Sequence, residues 1–285
     1  MAEASRQLGE DEYPSRLREI PAPPRPLYAR GAWPNAGTKM LTVVGSRALS
    51  SYGREACEKL IAGLAGYPIS IVSGLALGTD AVAHKAALKA GLHCIAVPGS
   101  GLGDRTISPR TNAGLAKDIL ASGGLLLSEH PDEYSPRAYD FPSRNRIMVG
   151  LSEAVLLIEA GPKSGTLITA RLAHEYNRDL LCVPHRIGDP HGFGANLFIR
   201  LGAALTSEPK HILEALGIEA RSDGAKPTLS LEGPEKLLYE LLAEPMPKDE
   251  LIRASGIPAP DALTALVMLE LRGVLKEEFG AWRRV

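Results

Sequence analysis

The chain has 285 residues, of which 45% are hydrophobic and 23% are charged, so its composition is that of a globular protein and excludes disorder, collagen and coiled coil for the whole chain. Its 32 basic and 33 acidic residues give a formal net charge of −1, which excludes a uniformly basic nucleic-acid coat but allows a local basic patch. Three dispersed cysteines, two of them in apolar runs, predict buried thiols without disulfides or a zinc cluster. No apolar run reaches the roughly 20 residues of a membrane span, so a cytoplasmic protein without membrane association is expected.

The first 38 residues are polar and rich in proline. Proline lacks a backbone N–H and fixes φ, so this density disfavours both helix and sheet. Segment 1–38 is therefore predicted to be an extended arm lying on the domain that follows.

Short apolar runs alternate with helical segments from Lys39 to about residue 218. Strands are predicted at 40–45, 69–73, 92–97, 124–128, 153–158, 180–183 and 203–205. Helices are predicted at 52–65, 79–90, 113–121, 144–151, 166–177, 195–201 and 208–215. Continuous apolar strands separated by helices are typical of a parallel sheet covered on both faces. Segment 39–218 is therefore predicted to be a doubly wound α/β domain with a mostly parallel sheet.

A polar segment at 219–231 contains glycine and proline and predicts a linker to a small C-terminal domain at 232–285. Three helices, at 234–243, 247–254 and 260–272, precede a short β-like tail, an order that predicts a winged helix. The domain carries ten acidic and seven basic residues, a net charge of −3. Because DNA binding relies on clustered cations, a protein-interaction or regulatory role is favoured, and DNA contact stays the alternative.

Loops rich in glycine and hydroxyl groups follow four of the predicted strands, beginning at Gly45, Ser73, Pro98 and Gly161. The carboxyl ends of parallel strands meet at one edge of a sheet, where such loops suit phosphate oxygens. Tight strand-to-helix turns would also explain each glycine taken alone. No P-loop motif occurs and no GxGxxG lies at a strand-to-helix turn, so no nucleotide cofactor is predicted.

Segment 137–152 combines three arginines with one aromatic ring, Phe141. Cations that follow phosphates and a ring that stacks on a base are the pairing expected for single-stranded nucleic acid. The alternative is that Phe141 is a core residue and that the arginines form a solvated face.

These motifs together resemble the DNA-processing protein A family, DprA, also called Smf. The resemblance covers about 13–215 and rests on Gly45-Ser46-Arg47, SGLALGTDAVAH at 73–84, FPSRNRIMVGLS at 141–152 and SGTLITA at 164–170. It implies a Rossmann-like domain that binds single-stranded DNA, forms a homodimer and helps to load the RecA recombinase during natural transformation. It also implies that Ser46 and Arg47 meet a backbone phosphate and that Phe141 stacks on a base.

The residues that the motifs assign to single-stranded DNA are Ser46, Arg47, Ser73, Gly74, Phe141, Arg144, Asn145, Arg146, Ser164 and Thr166, with Lys163 added on its charge and position. No catalytic residue and no metal ligand is predicted. His185 and His191 lie six residues apart with Asp189 between them, but no second shell of the kind that supports a metal is evident.

Two alternatives from other classes stay open at this point. The first is an enzyme that releases a base from a nucleoside monophosphate. The similar enzymes carry PGGxGTxxE, whose glutamate does acid–base work, whereas Thr169 stands at that place here, which disfavours the activity. The second is a nucleotide-sensing scaffold, which would bind mononucleotides rather than oligonucleotides.

Overall fold

The computed structural model describes residues 4–221, 231–278 and 280–284, and it divides into two compact units between Ala220 and Arg221. The predicted linker at 219–231 falls for the most part on residues 222–230, which lie outside the described residues. The predicted boundaries of the arm and the linker stay predictions.

The expectation that proline excludes regular structure from the first 38 residues is wrong. This segment forms strand β1 (Arg6–Gln7), helix α1 (Ser15–Arg18) and strand β2 (Tyr28–Gly31). The prolines lie between and after these elements, so no ladder hydrogen bond is lost to them. β2 pairs antiparallel with a strand of the main sheet, and Leu17 and Leu27 are fully buried.

The remaining strands of the first unit are β3 (Lys39–Val44), β4 (Ile69–Ser73), β5 (His93–Ala96), β6 (Leu125–Ser128), β7 (Ala154–Leu157), β8 (Asp179–Cys182) and β9 (Ala204–Leu205). Its further helices are α2 (Ser51–Ala62), α3 (Thr79–Lys89), α4 (Ala113–Ala121), α5 (Asp140–Ser143), α6 (Asn145–Leu151), α7 (Thr166–Glu175), α8 (Phe193–Arg200) and α9 (Pro209–Ala215).

Among the described residues the nine strands form one sheet in the order β1-β2-β6-β5-β4-β3-β7-β8-β9. Strands β3 to β9 pair parallel, and β1 and β2 add an antiparallel edge. The predicted α/β class with a doubly wound, mostly parallel sheet is therefore confirmed. The strand order reverses at β3, which has β4 on one side and β7 on the other.

Two apolar cores cover the two faces of this sheet. Helices α2, α3, α4 and α9 pack on one face, and α1, α6, α7 and α8 pack on the other. The side chains of a strand alternate between the cores, so Val43 lies in the first and Val44 in the second. The free thiols of Cys57, Cys94 and Cys182 are buried as predicted, and burial raises the pKa of each to about 12.

The second unit contains helices α10 (Gly233–Leu241), α11 (Lys248–Ser255) and α12 (Ala259–Leu271) and strands β10 (Met246–Pro247), β11 (Leu275–Glu278) and β12 (Ala281–Arg284). The strands form an antiparallel sheet in the order β10-β12-β11, and Leu238, Leu266 and Trp282 lie in a separate apolar core. This arrangement confirms the predicted winged helix. No helix in the described part of the chain combines the length and apolar character needed to cross a membrane.

Candidate nucleic-acid interface

A cavity of about 970 Å³ opens where the strand order of the sheet reverses. The loops that follow β3 and β7 form two of its walls, and α5 with the start of α6 forms a third. In open α/β sheets the loops leaving adjacent strands in opposite directions create a crevice at this point, which is the usual place for a ligand.

Hydrogen bonds tie the loops around the cavity to one another. The Thr166 hydroxyl donates to the Gly45 carbonyl at 3.0 Å, and the amide and hydroxyl of Thr79 each donate to the Ser46 carbonyl at 3.1 Å. The Ser46 hydroxyl accepts from the Ala48 amide at 3.1 Å, which leaves its proton available to a ligand. The walls are therefore held in place by the protein itself.

Arg47 and Phe141 meet at the cavity from two distant parts of the chain. The guanidinium carbon of Arg47 lies 5.3 Å from the centroid of the Phe141 ring, within cation–π distance. Arg47 is exposed and Phe141 is half-buried. Gly99 packs against this ring, because a Cβ at that position would lie 3.0 Å from Phe141 Cδ1.

Arg144 lines the same cavity but is only 5% exposed, because its guanidinium is bonded inside the protein. It donates to the carbonyls of Gly74 at 2.6 Å and of Val97, and Nε donates to Asn145 Oδ1 at 3.0 Å. Its Nη2 lies 3.6 Å from Asp80 Oδ2. Burial lowers the pKa of Arg144 to about 10 and raises the pKa of Asp80, an effect that the guanidinium opposes. The Arg144 side chain therefore belongs mainly to the floor of the cavity, beneath the open space.

Ser73 and Gly74, which the motifs assign to the pocket, do not line the cavity. The Ser73 hydroxyl is fully buried and donates to the Val43 carbonyl at 2.7 Å. A Cβ on Gly74 would overlap the guanidinium of Arg144, so only glycine leaves room for this buried group. Both residues support the floor from below.

Arg146, which the motifs assign to single-stranded DNA, lies apart from Arg47 and Phe141. Arg146 does not line the cavity, and its Nη2 donates to Glu129 Oε2 at 2.6 Å in a half-buried ion pair. Arg144 lies between α5 and α6 with helical backbone angles, and Arg146 is two positions further on, so their side chains leave the backbone in different directions.

Asn145, Ser164 and Thr166 line the cavity, but their side chains are hydrogen-bonded within the protein. Asn145 Nδ2 donates to Thr169 Oγ1 at 2.9 Å, and the Ser164 hydroxyl donates to Thr166 Oγ1 at 2.9 Å. Thr169 is the residue that stands where base-releasing enzymes carry a glutamate. It is buried and accepts this hydrogen bond from Asn145. Lys163 lies in the same loop, is exposed and lines the cavity.

Three contributors to the site were not predicted from the sequence: Asp80, Glu159 and His191. Glu159 is fully buried beside the cavity, where it accepts from the Ser50 amide at 3.0 Å. His191 lines the cavity, and its Nδ1 lies 3.7 Å from Glu159 Oε2. A carboxylate directly after an apolar strand is a signal that could have indicated Glu159.

No group of three His, Cys, Asp or Glu side chains in the described part of the chain is arranged to hold a metal ion.

The electrostatics of the cavity favour an anionic ligand. Of the described residues that line it, Asp80 is the one carboxylate, and it is paired with Arg144. Arg47 and Lys163 have no carboxylate at ion-pair distance within the described ranges. A neutral floor beneath free cations and one half-buried ring can hold phosphates and a base together.

The family is decided by direct comparison with known proteins. Residues 6–217 match the DNA recombination-mediator protein A family, and residues 224–280 match the DprA winged helix domain. The chain belongs to the DNA recombination-mediator protein A family. Protein Smf of Escherichia coli (strain K12) is 40% identical over 282 residues, which is 96% of this chain and 75% of the relative. DNA processing protein DprA of Bacillus subtilis (strain 168) is 38% identical over 211 residues, 73% of this chain and 70% of the relative.

Two solved structures from the family share the fold. The X-ray structure of DprA from Streptococcus pneumoniae gives a TM-score of 0.68 at 37% identity and covers 75% of each chain. DprA from Helicobacter pylori gives a TM-score of 0.64 at 28% identity, over 74% of this chain and 95% of that one. The latter structure is described in terms of its single-stranded DNA binding mode.

Proposed function

We propose that this protein is a cytoplasmic, non-catalytic mediator that binds single-stranded DNA in the cavity at the reversal point of the sheet. One observation carries the proposal: the guanidinium carbon of Arg47 lies 5.3 Å from the centroid of the Phe141 ring at the cavity. The charged side chains of this cavity that have no ion-pair partner among the described residues are cations. The description of the Helicobacter pylori relative supports the same ligand. Homodimerisation and the loading of RecA during natural transformation, which the family resemblance implies, are part of this proposal.

The proposed contacts divide between charge and stacking. Arg47, Lys163 and the Ser46 hydroxyl would meet backbone phosphates, and Phe141 would stack on a base. Stacking on this ring would not depend on the DNA sequence, because every base has an aromatic face. Asn145, Ser164, Thr166 and the buried Arg144 would hold these groups in position, and Ser73 and Gly74 would act beneath them.

Replacing Arg47 with alanine is expected to weaken binding to single-stranded DNA and to reduce its dependence on salt. Removing one cation that meets a phosphate should flatten the slope of log K against log[salt] by about 0.7. Fluorescence anisotropy with a labelled oligothymidylate, across a salt series, measures both quantities. The control is Arg171→Ala, which removes an exposed arginine of α7 that does not line the cavity and should leave the slope unchanged. Equal effects of the two variants, or wild-type protein that binds duplex as tightly as single strand, would contradict the proposal.

Replacing Phe141 with alanine is expected to weaken binding without changing the salt slope. Loss of one stacked base costs about 1–3 kcal/mol, which corresponds to roughly 5- to 150-fold in affinity. The same anisotropy series measures it, and Phe141→Trp should retain most of the affinity because indole also stacks. Wild-type affinity in Phe141→Ala would mean that the ring is a packing residue.

A further inference from the structure

We propose that His191 is an additional phosphate-binding residue whose protonation makes binding to single-stranded nucleic acid stronger at lower pH. The inference rests on the proposed function and assigns to this cavity a residue that the motif comparison does not. It is carried by the position of His191 between a buried carboxylate and the open cavity.

The imidazole of His191 has two different sides. Its Nδ1 faces Glu159 Oε2 at 3.7 Å, and that carboxylate is fully buried, whereas the His191 side chain is 44% exposed and lines the cavity. Nε2 makes no hydrogen bond to any residue that the structure describes. When both nitrogens carry protons, Nδ1–H can point at the carboxylate and Nε2–H can be offered to a phosphate oxygen.

Two hydrogen bonds hold the backbone of His191 in place. The His191 carbonyl accepts from the Ala160 amide at 3.0 Å, and its amide donates to Asp189 Oδ1 at 2.8 Å. Glu159 is held in turn by the amide and hydroxyl of Ser50, which is the N-cap of α2. The carboxylate therefore has a fixed place, from which it can orient the imidazole as carboxylates orient histidines in other binding sites.

The charged and titratable groups around His191 are Glu159 after β7, Asp189 on the same turn, His185 after β8, Lys163 and Arg47 on the other walls, and Tyr52 on α2. The hydrogen bond from the His191 amide holds the pKa of Asp189 below its usual range, so this carboxyl stays ionised at neutral and mildly acidic pH. The pKa of Tyr52 is raised, mainly by burial, so it stays neutral there. His185 is buried, with Nε2 2.9 Å from the Ile158 carbonyl oxygen.

Histidine is the side chain whose charge ordinarily changes between about pH 5 and 8, whereas lysine and arginine keep theirs. A protonated His191 would add one cation to a cavity that already presents Arg47 and Lys163. Affinity for single-stranded DNA should rise as pH falls, and the salt slope should become steeper by about 0.7, the value for one additional neutralised phosphate.

The experiment is anisotropy with a labelled oligothymidylate at about pH 5.5 and pH 8, each across a salt series. Wild-type protein is expected to bind roughly fivefold more tightly at the lower pH. His191→Gln should remove this difference, and His191→Arg should bind equally well at both values. The control His174→Gln, at an exposed histidine of α7 that does not line the cavity, should behave as wild type does.

The outcomes separate the two proposals. If wild-type protein does not bind the oligonucleotide at either pH, the proposed function fails. If it binds but His191→Gln retains the full pH difference, or His191→Arg still shows one, the function stands and the assignment of His191 is overturned.

Discussion

Arg144→Ala is expected to lower the free energy of unfolding of the first unit by about 3–5 kcal/mol, the cost of breaking a buried ion pair by removing one partner. The substitution leaves the Asp80 carboxylate without its cation and the Gly74 and Val97 carbonyls without their donor. Urea unfolding followed by the fluorescence of Trp33, in a Trp282→Phe background shared by all variants, measures the change.

Two controls separate the buried charge from ordinary truncation of a side chain. Arg171→Ala removes an exposed arginine and should stay within about 0.5 kcal/mol of the parent. The double variant Asp80→Asn/Arg144→Leu removes both charges and should lose less stability than Arg144→Ala alone, since the isolated buried charge is the costly species. If Arg144→Ala costs no more than Arg171→Ala, the network does not stabilise the fold.

Lowering the pH from 6.5 to about 4 is expected to remove about 3 kcal/mol of stability through His84 alone. This side chain is fully buried, and burial lowers its pKa from 6.5 to about 4. Between these values the unfolded chain binds a proton at His84 and the folded protein does not, so stability falls as pH falls. The measurement is the same urea unfolding, repeated across this pH range.

His84→Leu keeps a side chain of similar volume and removes the titrating group. Its stability should therefore fall less between these pH values than that of wild type, by about the amount assigned to His84. The raised pKa of Asp80 makes its own contribution to stability grow as the pH falls, opposite to that of His84. Because Asp80 is present in both proteins, the difference between them reports the contribution of His84. An acid loss identical in wild type and His84→Leu would refute this account, and His174→Leu serves as the exposed control.

The central strands of the main sheet could be predicted because they are short runs of apolar side chains buried on both faces. The sequence from Ile69 to Ser73 is buried at every position, and the predicted span coincides with β4. The two antiparallel edge strands could not be predicted in this way. β2 has only four residues, and it is held by pairing with β6, which lies about a hundred residues away.

For the candidate site, the location of the cavity could be predicted from the sequence, but the contacts of its arginines could not. Glycine- and hydroxyl-rich loops after buried strands correctly indicated the edge where the cavity opens, because strand ends meet at one edge in any parallel sheet. The destination of each arginine depends on partners 17 to 70 residues away, such as Glu129 for Arg146 and Gly74 for Arg144. Sequence spacing describes neighbours on one helix and carries no information about such partners.

The hydrogen bonds that join the loops after β3, β4 and β7 have a consequence for how a strand would be captured. Because Thr166 and Thr79 already fasten these loops, little ordering of the protein is left for the moment of association. For the proposed single-stranded DNA ligand, most of the conformational entropy lost on binding would then come from the polynucleotide. Substitutions of the exposed side chains at the mouth, Arg47 and Lys163, would accordingly change affinity without breaking the hydrogen bonds that hold the loops beneath them.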